Sequence, residues 1–188
     1  GALVVTGGGP GAMEAANLGA AFAGDPEELS AALLELGTVA SWSPSIADWA
    51  QAALTVKARW DLSRRTLGIP TWFYGHEPPT PLASHIAKYF SNSLREDGLL
   101  AIAADGVVFA PGWAGTLQEV FQDATQNVYR TFHDRFSPMA FLDTDRCWTE
   151  QFALAPLLQT LFGPDDFRRF VCISPDPDEI VAFLAEAG

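Results

Sequence analysis

The stretch "ALVVTGGGPGAMEAANLGA" (residues 2–20) decides the fold. "ALVVT" is a short apolar run suited to a buried strand, and a helical spacing follows from about Ala12 to Phe22. Between them stands "GGGPG" (7–11), richer in glycine than a tight turn requires. A strand that ends in glycines and passes straight into a helix is the repeating unit of α/β folds. Its exposed backbone N–H groups and helix N-terminus favour an anion. Residues 7–12 fit G-x-G-x-x-A, but the acidic strand end of a dinucleotide site is not found about 20 residues on. That region, "GDPEELSAALLEL", reads as a helix with Asp25 as cap, Pro26 at its first position and Glu28 completing a capping box. Neither glycine loop of the chain ends in Gly-Lys-Ser/Thr, which excludes a P-loop.

The same alternation continues outward. "SIADWAQAALTVKARWDLSRRT" places Ile46, Trp49, Ala53 and Val56 on one helical face. "GIPTWFY" (68–74) reads as a strand, and "PLASHIAKYFSNSLRE" as a helix with Ile86, Tyr89, Phe90 and Leu94 on one side. "GVVFA" (106–110) is a strand, followed by a helix from about Leu117 to Tyr129. "PMAFLDT" and "RFVCISP" are further strands, with "CWTEQFALAPLLQTLF" as a helix between them and "DPDEIVAFLAEA" as a closing helix. Continuous apolar strands separated by helices predict a parallel sheet covered on both faces. The expected fold is a three-layer, Rossmann-like α/β domain spanning residues 1–188.

The chain of 188 residues carries a net charge of −12, so it is a poor partner for nucleic-acid polymers or anionic membranes. A small phosphorylated ligand needs only a few local donors. No apolar run is long enough to span a bilayer and no signal peptide is evident. Cys147 and Cys172 form neither a disulfide framework nor a metal cluster, and are expected as free thiols of a cytoplasmic protein. His76, His85 and His133 are scattered, so no metal site is expected.

The second glycine loop is "PGWAGTLQE" (111–119), again between a strand and a helix. Gly115 and Thr116 fall where free N–H groups and a hydroxyl hold phosphate. Glu119 has two readings. Thr116-x-x-Glu119 is a capping box, which requires no chemistry. The same carboxylate near a helix start also faces a ligand cavity.

Taken together, "GGGPGAMEAANLGA" (7–20) and "PGWAGTLQE" (111–119) resemble the LOG (Lonely Guy) family over roughly residues 2–145. These are Rossmann-like nucleoside 5′-monophosphate phosphoribohydrolases, often labelled "possible lysine decarboxylase". The family's second signature is Pro-Gly-Gly-x-Gly-Thr-x-x-Glu. Here Pro111, Gly112, Gly115, Thr116 and Glu119 match it, while Trp113 stands at the second glycine. Because a bulky residue resists positive φ, the loop is expected to differ locally. The family's strand–helix unit before "ALVV", with its Gly-Ser, has no counterpart in the sequence.

The resemblance implies hydrolysis of an N-glycosidic bond to free base and ribose 5-phosphate, without a cofactor. Glu119 would stabilise the oxocarbenium-like transition state and activate water, as carboxylates do in glycoside hydrolysis. Arg95, in "NSLRED", matches the family's arginine and would orient Glu119 or hold ribose and phosphate. Gly112, Gly115 and Thr116 would hold the 5′-phosphate. Gly8, Gly9 and Met13 would line the other wall, with Met13 near the base. Glu14 would meet a ribose hydroxyl or serve only the helix dipole, and Trp113 would stack on base or ribose, narrow the pocket, or pack against a partner subunit. The resemblance also implies a homodimer, for which the aromatic stretches around Trp49, Trp60 and Tyr89/Phe90 are candidate surfaces. The decarboxylase label needs a Schiff-base lysine, and Lys57 and Lys88 both lie away from the glycine loops. The rival functions are a non-catalytic binder of a nucleotide or of another phosphorylated cofactor, such as molybdenum cofactor, and a structural domain whose glycines serve only turns.

Overall fold

A computed structural model describes residues 2–60, 62, 64–72, 77–132 and 134–187. They gather into two compact units, one up to Leu99 and one from Leu100 onward. Each unit contains a three-stranded parallel sheet among its described residues, so the chain is α/β.

In the first unit, β1 (Val4–Thr6) pairs with β2 (Thr66–Gly68), and β2 with β3 (His85–Ile86). Among the described residues three α-helices lie between β1 and β2: α1 (Ala12–Ala21), α2 (Pro26–Leu36) and α3 (Ile46–Arg59). Leu18, Phe22, Ala32, Ala53, Val56 and Leu82 pack into one core. The expected apolar face of α3 is buried at Trp49, Ala53 and Val56, whereas Ile46 is exposed. Ile46 opens the helix immediately after Ser45, whose side chain accepts the Asp48 N–H at 3.2 Å. Pro26 does open α2, but Asp25 makes no side-chain cap bond there.

The helix expected through "PLASHIAKYFSNSLRE" is corrected: α4 runs only over Asn92–Ile102, and β3 occupies His85–Ile86. Side-chain bonds at the strand entrance decide the matter. Ser84 Oγ accepts the Thr66 N–H at 2.8 Å, and Thr66 Oγ1 accepts the Ser84 N–H at 3.0 Å. Hydroxyls that satisfy backbone groups compete with helix, and pairing with β2 outweighs the local period. Ile86, Tyr89 and Phe90 are consequently exposed rather than gathered on a buried helical face. The expected strand 68–74 likewise shifts to Thr66–Gly68, with a further bridge from Thr71 to Tyr89. Phe73 and Tyr74 lie outside the described residues.

In the second unit, β4 (Val107–Phe109), β5 (Met139–Leu142) and β6 (Val171–Ser174) pair in that order. The associated helices are α5 (Ala114–Tyr129), α6 (Leu154–Phe170) and α7 (Pro177–Ala187). Phe141 and Trp148 are fully buried and meet edge to face at 5.5 Å. The helix expected from Cys147 is divided. Cys147–Gln151 forms a separate π-type turn, whose Trp148 N–H is accepted by the buried Asp143 at 2.7 Å. α6 is itself interrupted at Gly163, whose φ of 78° leaves the helical region just before Pro164. Both cysteines are free thiols. No helix among the described residues is long and apolar enough to cross a membrane.

Candidate functional site

The first glycine loop is tied down from beneath. Thr6 ends β1, and its Oγ1 accepts the Gly8 N–H at 3.1 Å and the Asn17 Nδ2 at 2.8 Å. Asn17, fully buried on α1, also donates to the Met13 carbonyl at 2.9 Å. The Gly8 carbonyl accepts the Thr80 N–H at 2.8 Å. Both backbone polar groups of Gly8 are thus used inside the protein, and its φ of 72° suits glycine. Gly8 shapes the loop, while Gly9 is the glycine placed to offer an N–H outward. In the structure that N–H points to the Met13 sulfur at 3.4 Å. Met13 therefore lies over the glycines, half-buried.

Arg95 joins this cluster. It occupies the first turn of α4, not a helix C-terminus, so the dipole does not explain a cation here. The side chain is 7% exposed. Its Nη2 donates to Asn92 Oδ1 at 2.6 Å and lies 3.5 Å from Glu96 Oε1. Glu96, almost fully buried, also accepts from Asn92 Nδ2 at 2.5 Å. A methyl group on Gly7 would collide with Arg95 Nη1 and would stand 2.8 Å from Met13 Sδ. The structure thus brings Gly7, Gly9, Met13 and Arg95 together within the first unit. Glu14 does not face them. Burial raises its pKa, while bonds from the Trp49 side chain and the Gly11 backbone pull the other way. Both partners make Glu14 a fastening of the helix start.

The second loop differs from its expected form at one decisive point. α5 begins at Ala114, with Trp113 as its N-cap residue and no side-chain cap bond. The Leu117 N–H bonds back to the Trp113 carbonyl at 3.0 Å. Thr116 is therefore inside the first turn, and the Thr116-x-x-Glu119 capping box is not formed. Glu119 sits a turn further along, half-buried. Gly112 is pressed by Thr116, whose Oγ1 occupies the space of any added Cβ. The backbone N–H groups of Ala114, Gly115 and Thr116 lie in the first turn, where helices lack internal acceptors. Together with the Thr116 hydroxyl they form an anion-favouring helix end.

Trp113 meets the loop's backbone demand without positive φ: its φ is −125°. Trp113 is 70% exposed, and its ring rests against Phe152 at a centroid distance of 5.8 Å. Phe152 in turn packs on the buried Trp148.

Other candidates fall elsewhere. Lys57 Nζ donates to the carbonyls of Pro81 and Ala83 at 2.8 and 3.3 Å, a structural engagement. Lys88 lies outside any helix and caps the face of Trp72 at 3.7 Å. His85 is in β3 beside Ser84 Oγ at 2.9 Å, and His76 and His133 lie outside the described residues. Among the described residues, no three His, Cys, Asp or Glu side chains gather as metal ligands. Trp49 is core, and Trp60 meets Phe22 edge to face at 6.0 Å, whereas Tyr89 and Phe90 are exposed.

The sequence reading passed over Gly7, Thr6, Asn17 and the buried Asp123. Gly7 was detectable as the first residue of the glycine run. Nothing local marks a contact between residues as distant as Gly7 and Arg95. The chain matches no family model and no curated protein.

Proposed function

We propose that the chain is a nucleoside 5′-monophosphate phosphoribohydrolase resembling the LOG family, releasing free base and ribose 5-phosphate. The observation that carries this reading is the Arg95 guanidinium buried against Gly7. Asn92 and the buried Glu96 hold this cation in place, so that its fork stays beside the glycine backbone. A planar guanidinium beside glycine backbone suits phosphate or ribose oxygens. Glu119 is the carboxylate for the oxocarbenium-like transition state and for water activation. In this reading Gly112, Gly115 and Thr116 bind phosphate, and Gly9 and Met13 are nucleotide-binding residues of the first unit. A three-layer Rossmann-like arrangement, a homodimer and a cytoplasmic location belong to the same reading.

The test is release of free base from a panel of nucleoside monophosphates. Wild type should turn over, while Glu119→Gln and Arg95→Lys should fold and lose turnover by on the order of 10²-fold or more. A folded Glu119→Gln protein with unchanged turnover removes Glu119 from the mechanism.

A second reading has its own support. The exposed Trp113 ring at the start of α5 suits stacking on a ligand that is held rather than hydrolysed. A non-catalytic binder of a nucleotide, or of a phosphorylated cofactor such as molybdenum cofactor, would bind without releasing base.

A further inference from the structure

Asp123 lies one turn beyond Glu119 on α5 and is 2% exposed. Its Oδ2 has no hydrogen-bond partner. It borders a cavity of about 10 Å³, lined also by Leu100, Gln126, Asn127, Phe132, Arg135 and Ser137. That is room for one water at most.

The walls look able to satisfy a carboxylate, yet Asn127, Ser137 and Arg135 bond elsewhere. Asn127 Nδ2 donates to the Ser137 carbonyl at 3.1 Å, and Asn127 Oδ1 accepts the Ser137 N–H at 2.7 Å. Ser137 Oγ donates to the Ala103 carbonyl at 2.6 Å. Arg135 Nη2 donates to the Ala104 carbonyl at 3.3 Å and faces Asp105 Oδ1 at 3.5 Å. Among the described residues of the lining, Arg135 is the one cation; Gln126, Asn127 and Ser137 are neutral. The nearest charge on the same helix is Glu119, four residues back, which would oppose a second negative charge. An ionised Asp123 would be a buried charge without compensation. A neutral carboxyl fits.

We propose that Asp123 is a proton-controlled latch: its neutral form fits the small cavity, and loss of the proton draws Arg135 away from the Ala104–Asp105 turn to the carboxylate. That turn leads directly into β4, the strand that feeds the Pro111–Trp113 loop. The latch therefore couples proton binding to the segment carrying the second glycine loop. Burial pushes the carboxyl up to about 7, which places the device in the neutral range. The sign follows from the raised value. The folded state holds the proton where the unfolded chain has lost it, so stability falls as pH rises from the ordinary carboxylate range towards 7 and then levels.

The experiment is a carbon-13 carboxyl titration by NMR, paired with thermal denaturation from about pH 5 to about pH 8.5. The Asp123 resonance should titrate near neutrality, and Asp123→Asn, which imitates the neutral form, should lose most of the fall in melting temperature. Arg135→Gln should raise the midpoint by removing the cation that receives the carboxylate. Titration in the ordinary carboxylate range, or an Asp123→Asn protein with the wild-type pH slope, overturns the proposal. An unmoved midpoint in Arg135→Gln overturns the latch partner. The carboxyl titration decides even where Asp123→Asn fails to fold.

Discussion

The guanidinium of Arg95 rests on the Cα of Gly7, so closely that any side chain at residue 7 would strike Nη1. Arg95 has little freedom to retreat, because Asn92 and Glu96 hold it in a buried setting. Gly7→Ala should therefore displace the guanidinium while leaving the strand and helix in place. The stability cost should be about 1–3 kcal/mol, with ligand binding weakened further. Denaturant melts compared with phosphate or nucleotide titration separate the two effects. Equal, small changes in both would mean that Arg95 has no part in binding.

The order of elements was legible in the sequence because it depends on local signals. Apolar runs, glycine breaks and helical periods placed α1, β4, β5 and the start of α3 within a residue or two of their expected positions, while α3 ends at Arg59, short of the expected run through Thr66. The stretch from Pro81 to Ser91 was misread because its spacing of Ile86, Tyr89 and Phe90 imitates a helix. Pairing with Thr66 and Gly68, remote in sequence, settles its conformation. The start of α5 was placed three residues late for a related reason. Thr116 is a strong cap former, yet the chain enters the helix at Ala114 and uses Thr116 to pack on Gly112. The family resemblance named the candidates Arg95 and Glu119, but only the fold shows Arg95 against Gly7, or shows Thr116 inside α5 rather than capping it.

Gly112 and Thr116 make a pair in which one residue's size sets the other's. An added Cβ on Gly112 would meet Thr116 Oγ1 and would also stand 2.6 Å from Thr116 Cβ. Gly112→Ala should cost about 1–3 kcal/mol through overpacking. Thr116→Ala should not rescue it, because the second clash remains. Thr116→Gly should rescue it in part, at about 1 kcal/mol of helix propensity. A double-mutant cycle of denaturant midpoints reads the coupling, and additive costs would contradict the packing.

Asn17 is a second structural anchor with a functional neighbour. Its Nδ2 bridges Thr6 Oγ1 and the Met13 carbonyl from a fully buried position. Asn17→Ala should cost about 1–3 kcal/mol, since Thr6 loses a donor within the core. It should also loosen the Gly8 N–H bond to Thr6. Amide hydrogen exchange should then rise at Gly8 more than in β2. Uniform acceleration through the first unit would indicate general destabilisation instead.

Trp113 separates stability from recognition. Its φ of −125° shows that the backbone at this position does not demand glycine, so the side chain was not tolerated at the expense of strain. With 70% of the residue exposed and one ring contact to Phe152, Trp113→Ala should cost under about 1 kcal/mol. A large effect should appear only with ligand. If the ring stacks on a base, Trp113→Ala weakens nucleotide binding by roughly tenfold and leaves ribose 5-phosphate binding unchanged, a stacking contribution on the order of 1 kcal/mol. If the ring narrows the pocket instead, the same variant accepts larger bases and gains affinity for them. Calorimetric titration with ribose 5-phosphate and a series of nucleoside monophosphates distinguishes these outcomes. Equal affinities in wild type and variant for every ligand would assign Trp113 to packing on Phe152 alone.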